Sequence, residues 1–351
     1  MHKFETHFIP ENTAPKGAVC GVYNSGGIKV GHVPWGRMAR PNSTPNYSFL
    51  ALSDVHIDKE TAPEDFERAL SYAEENCAFT CIAGDLTDQG IQSDYTPYKN
   101  VVNRYPNLPI YAIAGNHEHY SNRDPAWFKD ATEESLYYSF THGNDVYIMV
   151  GHYGGYDNSI KNWLTNDFVS EEELKWLYDT LEENRNKRCF VFIHVPPHAH
   201  GVGDPNGLYT KYSGETAKLW DVSTGIGKAV IDLLRHYKNT ILFHGHSHTR
   251  LELQELDPKA NYSDAYGYRS VHIPSLAVPR DLDGNTLDSF PAESEGYVVD
   301  VYDNCIVLNG RDFVGGDEDG HWIPLGTYKI DTPLHTVEAG TFHDDTGLIT
   351  I

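Results

Sequence analysis

The sequence predicts a layered α/β fold, and features of its central part support this prediction. Short apolar runs rich in β-branched and aromatic residues are typical of buried strands. Such runs occur at 49–52, 79–83, 110–114, 190–193 and 241–243. Segments with helical periodicity lie between several of them, and polar residues follow each run directly. Strands that alternate with helices form sheets whose faces are covered by helices, so we expect helices on the outside of the fold.

Residues 1–46 differ in pattern from the part that follows. Alternating runs at 18–23 and 28–33 flank Asn24-Ser25-Gly26-Gly27, which predicts a β-hairpin with a glycine-containing turn. Prolines then mark a connecting loop. We therefore predict three segments, with the hairpin and loop at 1–46, the main α/β domain at 47–310 and a C-terminal β extension at 311–351.

The helices of the main domain are predicted over 63–76, 95–104, 171–183 and 226–237. Pro63 lies in the first turn of the first helix, where its missing N–H group has no cost. Ser170 and Glu173 have the spacing of a capping box at the start of the third helix. A hairpin is predicted from 136–140 and 146–150, and further strands from 271–273, 297–301 and 306–308.

The chain of 351 residues is strongly acidic, with a formal net charge of −23. Long nucleic acids bind to basic surfaces, so this charge argues against a nuclease that acts on long DNA. A small phosphorylated substrate remains compatible with the charge, because bound divalent metal ions make a site locally positive. Of these two kinds of partner, the charge favours a small phosphorylated molecule over a long nucleic acid, and the sequence identifies no protein partner.

Cysteine usage and hydropathy predict a soluble protein. The cysteines number five and lack the spacing of a disulfide framework or a zinc ribbon, so we expect free thiols. Residues 2–7 lack the apolar segment of a secretory signal. No apolar run approaches the roughly 18 residues that are needed to cross a bilayer. We therefore predict a cytoplasmic protein with no membrane segment.

Polar motifs close the apolar runs of the predicted strands. They are Asp54-Val55-His56, Gly84-Asp85-Leu86-Thr87-Asp88, Gly115-Asn116-His117-Glu118, His194 and Gly245-His246-Ser247-His248. Residues at the carboxyl ends of parallel strands meet at the same edge of a sheet, where open α/β folds bind ligands. The intervals Asp54–Asp85 and Asp85–Asn116 are equal, and each has the length of one strand–helix–strand unit, about 30 residues. The motifs are therefore expected to converge.

The side chains of these motifs are suited to two neighbouring metal ions. A binuclear phosphoesterase site needs oxygen and imidazole donors around two cations roughly 3.5–4 Å apart, with one carboxylate between them. Such donors are offered by Asp54, His56, Asp85, Asn116, His194, His246 and His248. The absence of cysteine from this set fits Mn, Fe or Zn and disfavours a soft thiolate site. Asp54 and His56 are expected on one side of an extended segment, and Gly84 is expected to allow a sharp turn.

The order of the motifs resembles the calcineurin-like metallophosphoesterase superfamily. A single motif would be weak evidence, because chance pairs are expected among 19 histidines, whereas the ordered set across 47–310 is specific. The resemblance implies a four-layer α-β-β-α sandwich of two mixed sheets flanked by helices, and we expect short β additions at both ends. It also implies that two divalent or trivalent metal ions, from among Mn, Fe and Zn, act as cofactors.

The resemblance implies a role for each matching residue. One metal ion would be held by Asp54, His56 and His248, and the other by Asn116, His194 and His246. Asp85 would bridge the two ions. A hydroxide between the metal ions would attack the phosphorus atom, while His117, oriented by Asp88, would protonate the leaving oxygen. The predicted function is therefore metal-dependent hydrolysis of a phosphomonoester or a phosphodiester.

Departures from the motifs of known branches narrow this prediction. Purple acid phosphatases carry a tyrosine where this chain has Asp88, and calcineurin-type Ser/Thr phosphatases carry an arginine where it has Gln89. Bacterial cyclic-nucleotide phosphodiesterases often carry an arginine where it has Tyr120. These differences argue against a simple transfer of any of the three activities.

Two alternatives to a general phosphoesterase remain open from the sequence. One is a phosphodiesterase specific for a small nucleotide-type substrate, and the other is a non-catalytic scaffold that retains the fold. The complete set of ligands argues against the scaffold. Candidate substrate contacts lie close to the motifs, and each could equally be a solvated loop residue; they are His119, Tyr120, His152, His198 and Arg250.

Overall fold

The computed structural model describes most of the chain from residue 41 onward and two short strands before it. The described residues are 20–23, 29–33, 41, 43–120, 126–152, 156–157, 162–163, 169–197, 225–251, 261–264, 266–280, 294–316, 322–343 and 348–350. The helices are α1 (Ala62–Asn76), α2 (Tyr95–Val102), α3 (Ala126–Thr132), α4 (Glu171–Glu183) and α5 (Gly225–His236). The strands are β1 (Cys20–Tyr23), β2 (Lys29–Val33), β3 (Tyr47–Leu52), β4 (Thr80–Ile82), β5 (Ile110–Ala112), β6 (Tyr137–His142), β7 (Asp145–Val150), β8 (Tyr156–Asp157), β9 (Asn162–Trp163), β10 (Cys189–Ile193), β11 (Thr240–His244), β12 (Tyr262–Ser263), β13 (Arg269–His272), β14 (Glu295–Val301), β15 (Cys305–Gly316), β16 (Trp322–Asp331), β17 (Thr341–His343) and β18 (Leu348–Thr350).

The predicted helices are all present. α1, α2, α4 and α5 lie at the predicted positions, with ends that differ by at most two residues. α3 was not predicted, and it is the shortest of the α-helices in the described part of the chain. Among the described residues, no helix combines the length and the apolar character needed to cross a membrane.

The first sheet has six strands in the order β16-β15-β14-β3-β4-β5. β3, β4 and β5 pair in parallel, whereas β14, β15 and β16 run antiparallel to their neighbours. α1 connects β3 to β4, and α2 connects β4 to β5. The two strand–helix–strand units predicted from the equal motif spacing are therefore confirmed.

The second sheet also has six strands, in the order β12-β13-β11-β10-β7-β6. β7, β10, β11 and β13 are parallel, and the edge strands β6 and β12 are antiparallel to them. β6 and β7 form the predicted hairpin, in which Tyr137 lies opposite Val150. The second sheet is therefore mixed, like the first.

The two sheets face each other across an aromatic core. Phe49 of β3 lies 5.4 Å from the Tyr147 ring and 5.7 Å from the Phe190 ring, both of which belong to the second sheet. Successive side chains of a strand point to opposite faces, and Phe49 accordingly packs between the sheets while Leu50 packs toward the helices. Side chains of β3 therefore contribute alternately to the core between the two sheets and to the core between the first sheet and its helices.

Helices cover the outer face of each sheet. α1 buries Phe66 and Leu70 against the first sheet, and α4 and α5 bury Leu177 and Leu234 against the second. Burial of a large apolar side chain stabilises a fold by about 1.5–3 kcal/mol. The four-layer α-β-β-α sandwich with two mixed sheets is therefore confirmed.

The strands near both ends of the chain extend this arrangement. β1 and β2 pair antiparallel, which confirms the predicted N-terminal hairpin. β15 crosses residue 310 without interruption and pairs with β16, so the first sheet continues past the predicted start of the C-terminal extension. β17 and β18 form a separate antiparallel pair. The division of the chain at residues 46 and 310 stays a prediction.

A buried ion pair joins the two sheets at the end where β3, β7 and β10 begin. Arg188 donates to both carboxylate oxygens of Asp145, at 3.0 Å and 2.6 Å, and each residue is 5% exposed. Tyr47 donates its hydroxyl to the same carboxylate at 2.6 Å. Arg188 also donates to the backbone oxygen of Tyr302 and to the Thr332 hydroxyl. One guanidinium thus links the second sheet to segments that follow β14 and β16.

The cysteines agree with the prediction of free thiols. Within the described residues, Cys77, Cys81, Cys189 and Cys305 are unpaired, and all but Cys77 are buried. Burial raises the pKa of the Cys81 thiol well above its usual value. The three buried thiols are therefore protonated and act as small apolar core residues.

The predicted capping box of α4 is present. The Ser170 hydroxyl accepts a hydrogen bond from the Glu173 backbone N–H at 3.1 Å, and the Glu173 carboxylate accepts one from the Ser170 N–H at 2.7 Å. Ser170→Ala removes one of these bonds, and we expect it to lower the free energy of unfolding by about 1 kcal/mol. Urea denaturation measures this. Ser93→Ala, at an exposed side chain outside the α-helices, is the control and should change stability by less than about 0.5 kcal/mol; equal effects of the two would contradict the capping role.

Candidate metal centre

The candidate ligands converge between the two sheets. β3, β4 and β5 of the first sheet are followed by the loops of Asp54, Asp85 and Asn116. β10 and β11 of the second sheet are followed by His194 and by the loop of His246. The expectation of a single sheet edge was therefore wrong, because the cluster forms where the carboxyl ends of strands from two facing sheets meet.

One group of side chains could hold a metal ion with the donor atoms of Asp54, His56, Asp85 and His248, which all lie within 4.8 Å of one another. His248 Nε2 lies 2.9 Å from Asp54 Oδ1 and 3.4 Å from His56 Nε2. His56 Nε2 lies 4.0 Å from Asp85 Oδ2. Each of the four side chains is buried. Carboxylate oxygens and imidazole nitrogens in this arrangement fit a borderline or hard divalent cation.

A second group shares Asp85 with the first and adds His194 and His246. His194 Nε2 lies 3.0 Å from Asp85 Oδ2. Asn116 is 1% exposed, and within the described residues its Oδ1 atom has no hydrogen-bond partner. A buried carbonyl oxygen is stable only when something satisfies it, and a cation does so. The residues present therefore fit two metal ions that share one carboxylate.

Hydrogen bonds orient these side chains toward the cluster. His194 Nδ1 lies 2.6 Å from the Ala83 carbonyl oxygen, and His248 Nδ1 lies 2.9 Å from that of Val278. A ring whose Nδ1–H is donated to a carbonyl oxygen presents an unprotonated Nε2 to a metal ion. Asp54 similarly accepts the His246 N–H at 2.9 Å through Oδ2, which leaves Oδ1 toward the cluster.

The backbone at the ligands is strained. Asp54, His56 and Asp85 have φ values of 51°, 39° and 52°, and His246 and His248 have 72° and 55°. These values lie in the left-handed region, which costs about 1–3 kcal/mol for residues other than glycine. The expected extended segment at Asp54 and His56 was therefore wrong, because the chain leaves the β conformation after β3 ends at Leu52.

Two glycines allow the loops to approach each other. Gly84 has φ +96°, and a Cβ atom there would lie 2.7 Å from Cγ of the His194 ring. A Cβ atom at Gly115 would lie 2.6 Å from the backbone nitrogen of Asp85. Side chains at either position would displace a candidate ligand. The sharp turn predicted at Gly84 is confirmed.

Glu118 was part of a recognised motif, but the sequence assigned it no role. It is 1% exposed, and its carboxylate accepts backbone N–H groups of Asp85 at 3.1 Å, Thr87 at 3.1 Å and Gly115 at 2.6 Å. Glu118 therefore fastens the loop of Asp85 to the loop of Asn116. Its only sequence signal is an acidic residue directly after the candidate proton donor.

Burial and neighbouring charges set the protonation of the cluster. Burial raises the pKa of Asp54, but the His248 and His194 rings outweigh it and hold the pKa below its usual range. Burial lowers the pKa of His194, but Asp85 and Asp54 outweigh it and raise the pKa to about 9. Burial and the His194 ring lower the pKa of His246 to about 3. Ionised carboxylates and neutral imidazoles are the forms that bind cations, and a bound cation would displace the proton of His194.

The sequence model of calcineurin-like phosphoesterases matches residues 47–250, which is more than half of the chain. This chain belongs to the calcineurin-like phosphoesterase family. The matched segment begins with β3 and includes the loop that carries His246 and His248. It therefore contains every candidate metal ligand.

Two relatives are similar to this chain over part of their length. The chain is 32% identical over 124 residues to a probable glycerophosphodiester phosphodiesterase of Arcobacter nitrofigilis, and the match covers 34% of this chain and 42% of that protein. It is 26% identical over 220 residues to purple acid phosphatase 15 of Arabidopsis thaliana, and the match covers 55% of this chain and 36% of that protein. The chain thus spans less than half the length of both relatives.

A solved structure of a predicted phosphoesterase from Streptococcus pneumoniae is also similar to this calcineurin-like chain. The TM-score is 0.38 at 10% identity, and the match covers 81% of this chain and 97% of that chain. Similarity at this level adds nothing about the site, which is described by its own geometry.

The catalytic pair predicted for this phosphoesterase-family chain is arranged differently from the expectation. His117 Nδ1 lies 2.9 Å from the backbone oxygen of Asp88. The Asp88 carboxylate lies 3.4 Å from His56 Nδ1 and 3.7 Å from His117 Nδ1, and Lys59 Nζ lies 3.0 Å from its other oxygen. Asp88 therefore contacts a candidate metal ligand as well as the candidate proton donor.

The residues of this chain that were predicted to contact substrate differ in burial and in their neighbours. His119 and His152 are buried, and His119 Nε2 lies 2.7 Å from the His152 backbone oxygen. Arg250 is also buried. Tyr120 is partly exposed and contacts Asn116 and His117. His198 lies outside the described residues, and a substrate contact by any of these residues stays a prediction.

Proposed function

We propose that this chain hydrolyses small phosphoesters with two metal ions bound between its sheets. The observation that carries the proposal is Asp85, because among the described residues its carboxylate belongs to two of the three groups of side chains that could hold a metal ion. The third group consists of His56, Asp88 and His117. Membership of the calcineurin-like phosphoesterase family supports it. So does the partial similarity to proteins named as a phosphodiesterase and a phosphatase.

The proposed ligands are divided between two ions. Asp54, His56 and His248 would hold one, and Asn116, His194 and His246 would hold the other, with Asp85 common to both. Bound cations of this kind polarise phosphoryl oxygens and lower the pKa of water, which supplies a nucleophile at neutral pH. Mn, Fe and Zn all fit the donor set.

His117 would manage the proton of the leaving group. Its ring is 21% exposed, and Nε2 lies 3.8 Å from Asp85 Oδ2, so this nitrogen faces the cluster while Nδ1 faces the Asp88 carbonyl oxygen. The proton moves from His117 Nε2 to the oxygen that leaves phosphorus, and the ring is left neutral with its hydrogen on Nδ1. The His56 ring, 4.7 Å away and nearly perpendicular, limits rotation of His117.

A direct test combines metal content with hydrolysis. We expect about two Mn ions per chain by elemental analysis, and turnover of bis-p-nitrophenyl phosphate or p-nitrophenyl phosphate. His117→Asn should keep both ions and lower kcat by about 100-fold or more, because it removes the proton donor. His335→Asn is the matched control, since this exposed histidine bonds through its backbone to Asn239, at the opposite end of β11 from His246.

Each outcome of this test has a clear meaning. Faster hydrolysis of the diester than of the monoester would make the chain a phosphodiesterase, and the reverse would make it a phosphatase. Two bound ions without turnover of either compound would contradict the general activity and favour a scaffold. Absence of metal after reconstitution would overturn the proposed centre itself.

A further inference from the structure

We infer that Tyr120 is a positioning residue that fixes the orientation of the Asn116 amide and of the His117 ring. This inference rests on the proposed function, since it takes Asn116 to be a metal ligand. From the sequence, Tyr120 is a candidate substrate contact. In the fold, it contacts two other side chains of the site.

The first contact concerns the amide of Asn116. The Asn116 Nδ2 group donates a hydrogen bond to the Tyr120 hydroxyl at 2.9 Å. An amide nitrogen only donates, so the hydroxyl oxygen is the acceptor. The bond joins residues four apart across the short helical turn His117–His119, and the Asn116 backbone oxygen accepts the His119 N–H in the same turn. Asn116 is therefore held both at its side-chain nitrogen and at its backbone oxygen.

The position of the amide nitrogen determines that of the oxygen. With Nδ2 on Tyr120, the Oδ1 atom takes the opposite branch of the amide, where it is buried and lacks a hydrogen-bond partner among the described residues. A rotation of the amide by half a turn would present an N–H₂ group to the cations, and cations bind the carbonyl oxygen only. In the observed orientation, the hydrogen bond to the Tyr120 hydroxyl therefore holds the amide with its oxygen on the branch that can bind metal.

The second contact concerns the ring of His117. The Tyr120 and His117 rings lie 4.2 Å apart, at an angle of 37° between their planes. The His56 ring lies edge-on to His117 at 4.7 Å. His117 therefore packs against two rings while its Nδ1 bonds to the Asp88 carbonyl oxygen. Tyr120 supports a ligand through its hydroxyl and the proton donor through its ring.

Tyr120→Phe and Tyr120→Leu separate these two contributions. Tyr120→Phe removes the hydroxyl and keeps the ring, so titration of the metal-free protein with Mn by calorimetry should show one of two sites weakened by about 10-fold or more. Tyr120→Leu removes both, and at saturating Mn its kcat should be about tenfold below that of Tyr120→Phe, because His117 has lost its neighbour. Tyr137→Phe, on the edge strand β6, is the matched control. It removes a hydroxyl that is bonded to Glu172 of α4, and the variant should titrate like wild type.

Asn116→Ala identifies the route of the effect. This variant should weaken the same Mn site, and adding Tyr120→Phe to it should cause no further loss at that site, because the amide to be oriented is gone. A loss as large as in the wild-type background would overturn the inference. Equal kcat values for Tyr120→Phe and Tyr120→Leu would overturn its His117 part.

The inference and the proposed function fail in different ways. Wild-type protein that binds two Mn ions, with Tyr120→Phe binding both as tightly, would overturn the inference and leave the proposed function intact. Wild-type protein that binds no Mn would overturn the proposed function and the inference with it.

Discussion

Asp85→Asn is expected to abolish the binuclear centre. Asp85 is the side chain shared by the group that contains Asp54 and the group that contains His194, and its Oδ2 atom lies 3.0 Å from His194 Nε2 and 4.0 Å from His56 Nε2. The amide keeps the size of the carboxylate and removes the negative charge that offsets two cations. We expect bound metal to fall from about two ions to fewer than one, and hydrolysis of bis-p-nitrophenyl phosphate to fall by about 10³-fold or more.

The design of this experiment separates loss of charge from loss of fold. Asp85 Oδ1 accepts the His117 N–H at 2.9 Å, and an asparagine carbonyl oxygen can keep that bond. Near-wild-type circular dichroism is therefore expected. Asp179→Asn, at the exposed Lys175–Asp179 pair of α4, is the matched substitution and should leave metal content unchanged. A variant of Asp85 that retains two ions and full turnover would show that this carboxylate does not bridge.

The sequence selected residues that the fold brings together, but it did not predict how the backbone presents them. Motif order and strand pattern were enough to select Asp54, Asp85 and His248, because ligands at strand ends converge wherever the strands are parallel. The left-handed conformation of these residues has only a weak local signal, since aspartate and histidine adopt it more often than most residues other than glycine but still uncommonly. It persists because surrounding contacts, such as the bond from the His246 N–H to Asp54, determine it.

Glu118 and Tyr120 illustrate a second limit of prediction from the sequence, which is that some side-chain roles depend on contacts formed only in the fold. The three backbone N–H groups that Glu118 accepts come from two loops, so the role of its carboxylate exists only after both loops are in place. Tyr120 was predicted near substrate because it lies close to the motif in sequence. Its actual neighbours depend on the short helical turn His117–His119, which brings its hydroxyl to Asn116.

Local signals predicted the elements of the fold better than their assembly. The capping box of α4 was predicted because Ser170 and Glu173 are close in sequence and act on one helix end. The continuation of the first sheet through β15 and β16 was not predicted, because pairing between distant strands depends on the whole layer. The link from Arg188 to Tyr302 and Thr332 belongs to the same class of long-range contact.

Arg188→Met is expected to lower the free energy of unfolding by about 3–5 kcal/mol, because it leaves the Asp145 carboxylate buried without its partner. Asp145 is 5% exposed, and the remaining bond from Tyr47 cannot replace a bidentate guanidinium. The substitution also removes the donors to the Tyr302 backbone oxygen and to Thr332, which join the second sheet to segments following β14 and β16. Urea denaturation of the metal-free protein measures the change without a contribution from metal binding.

A double-mutant cycle decides whether the pair itself is responsible. Asp145→Leu should also be strongly destabilising, whereas Arg188→Met combined with Asp145→Leu should cost less than the sum of the two, since neither charge is then left buried alone. Lys175→Met at the exposed pair of α4 should cost no more than about 1 kcal/mol. If Arg188→Met lowered the free energy of unfolding as little as Lys175→Met, the aromatic core would hold the two sheets together. The Arg188–Asp145 ion pair, at the end of the sheets where β7 and β10 begin, would then contribute little to stability.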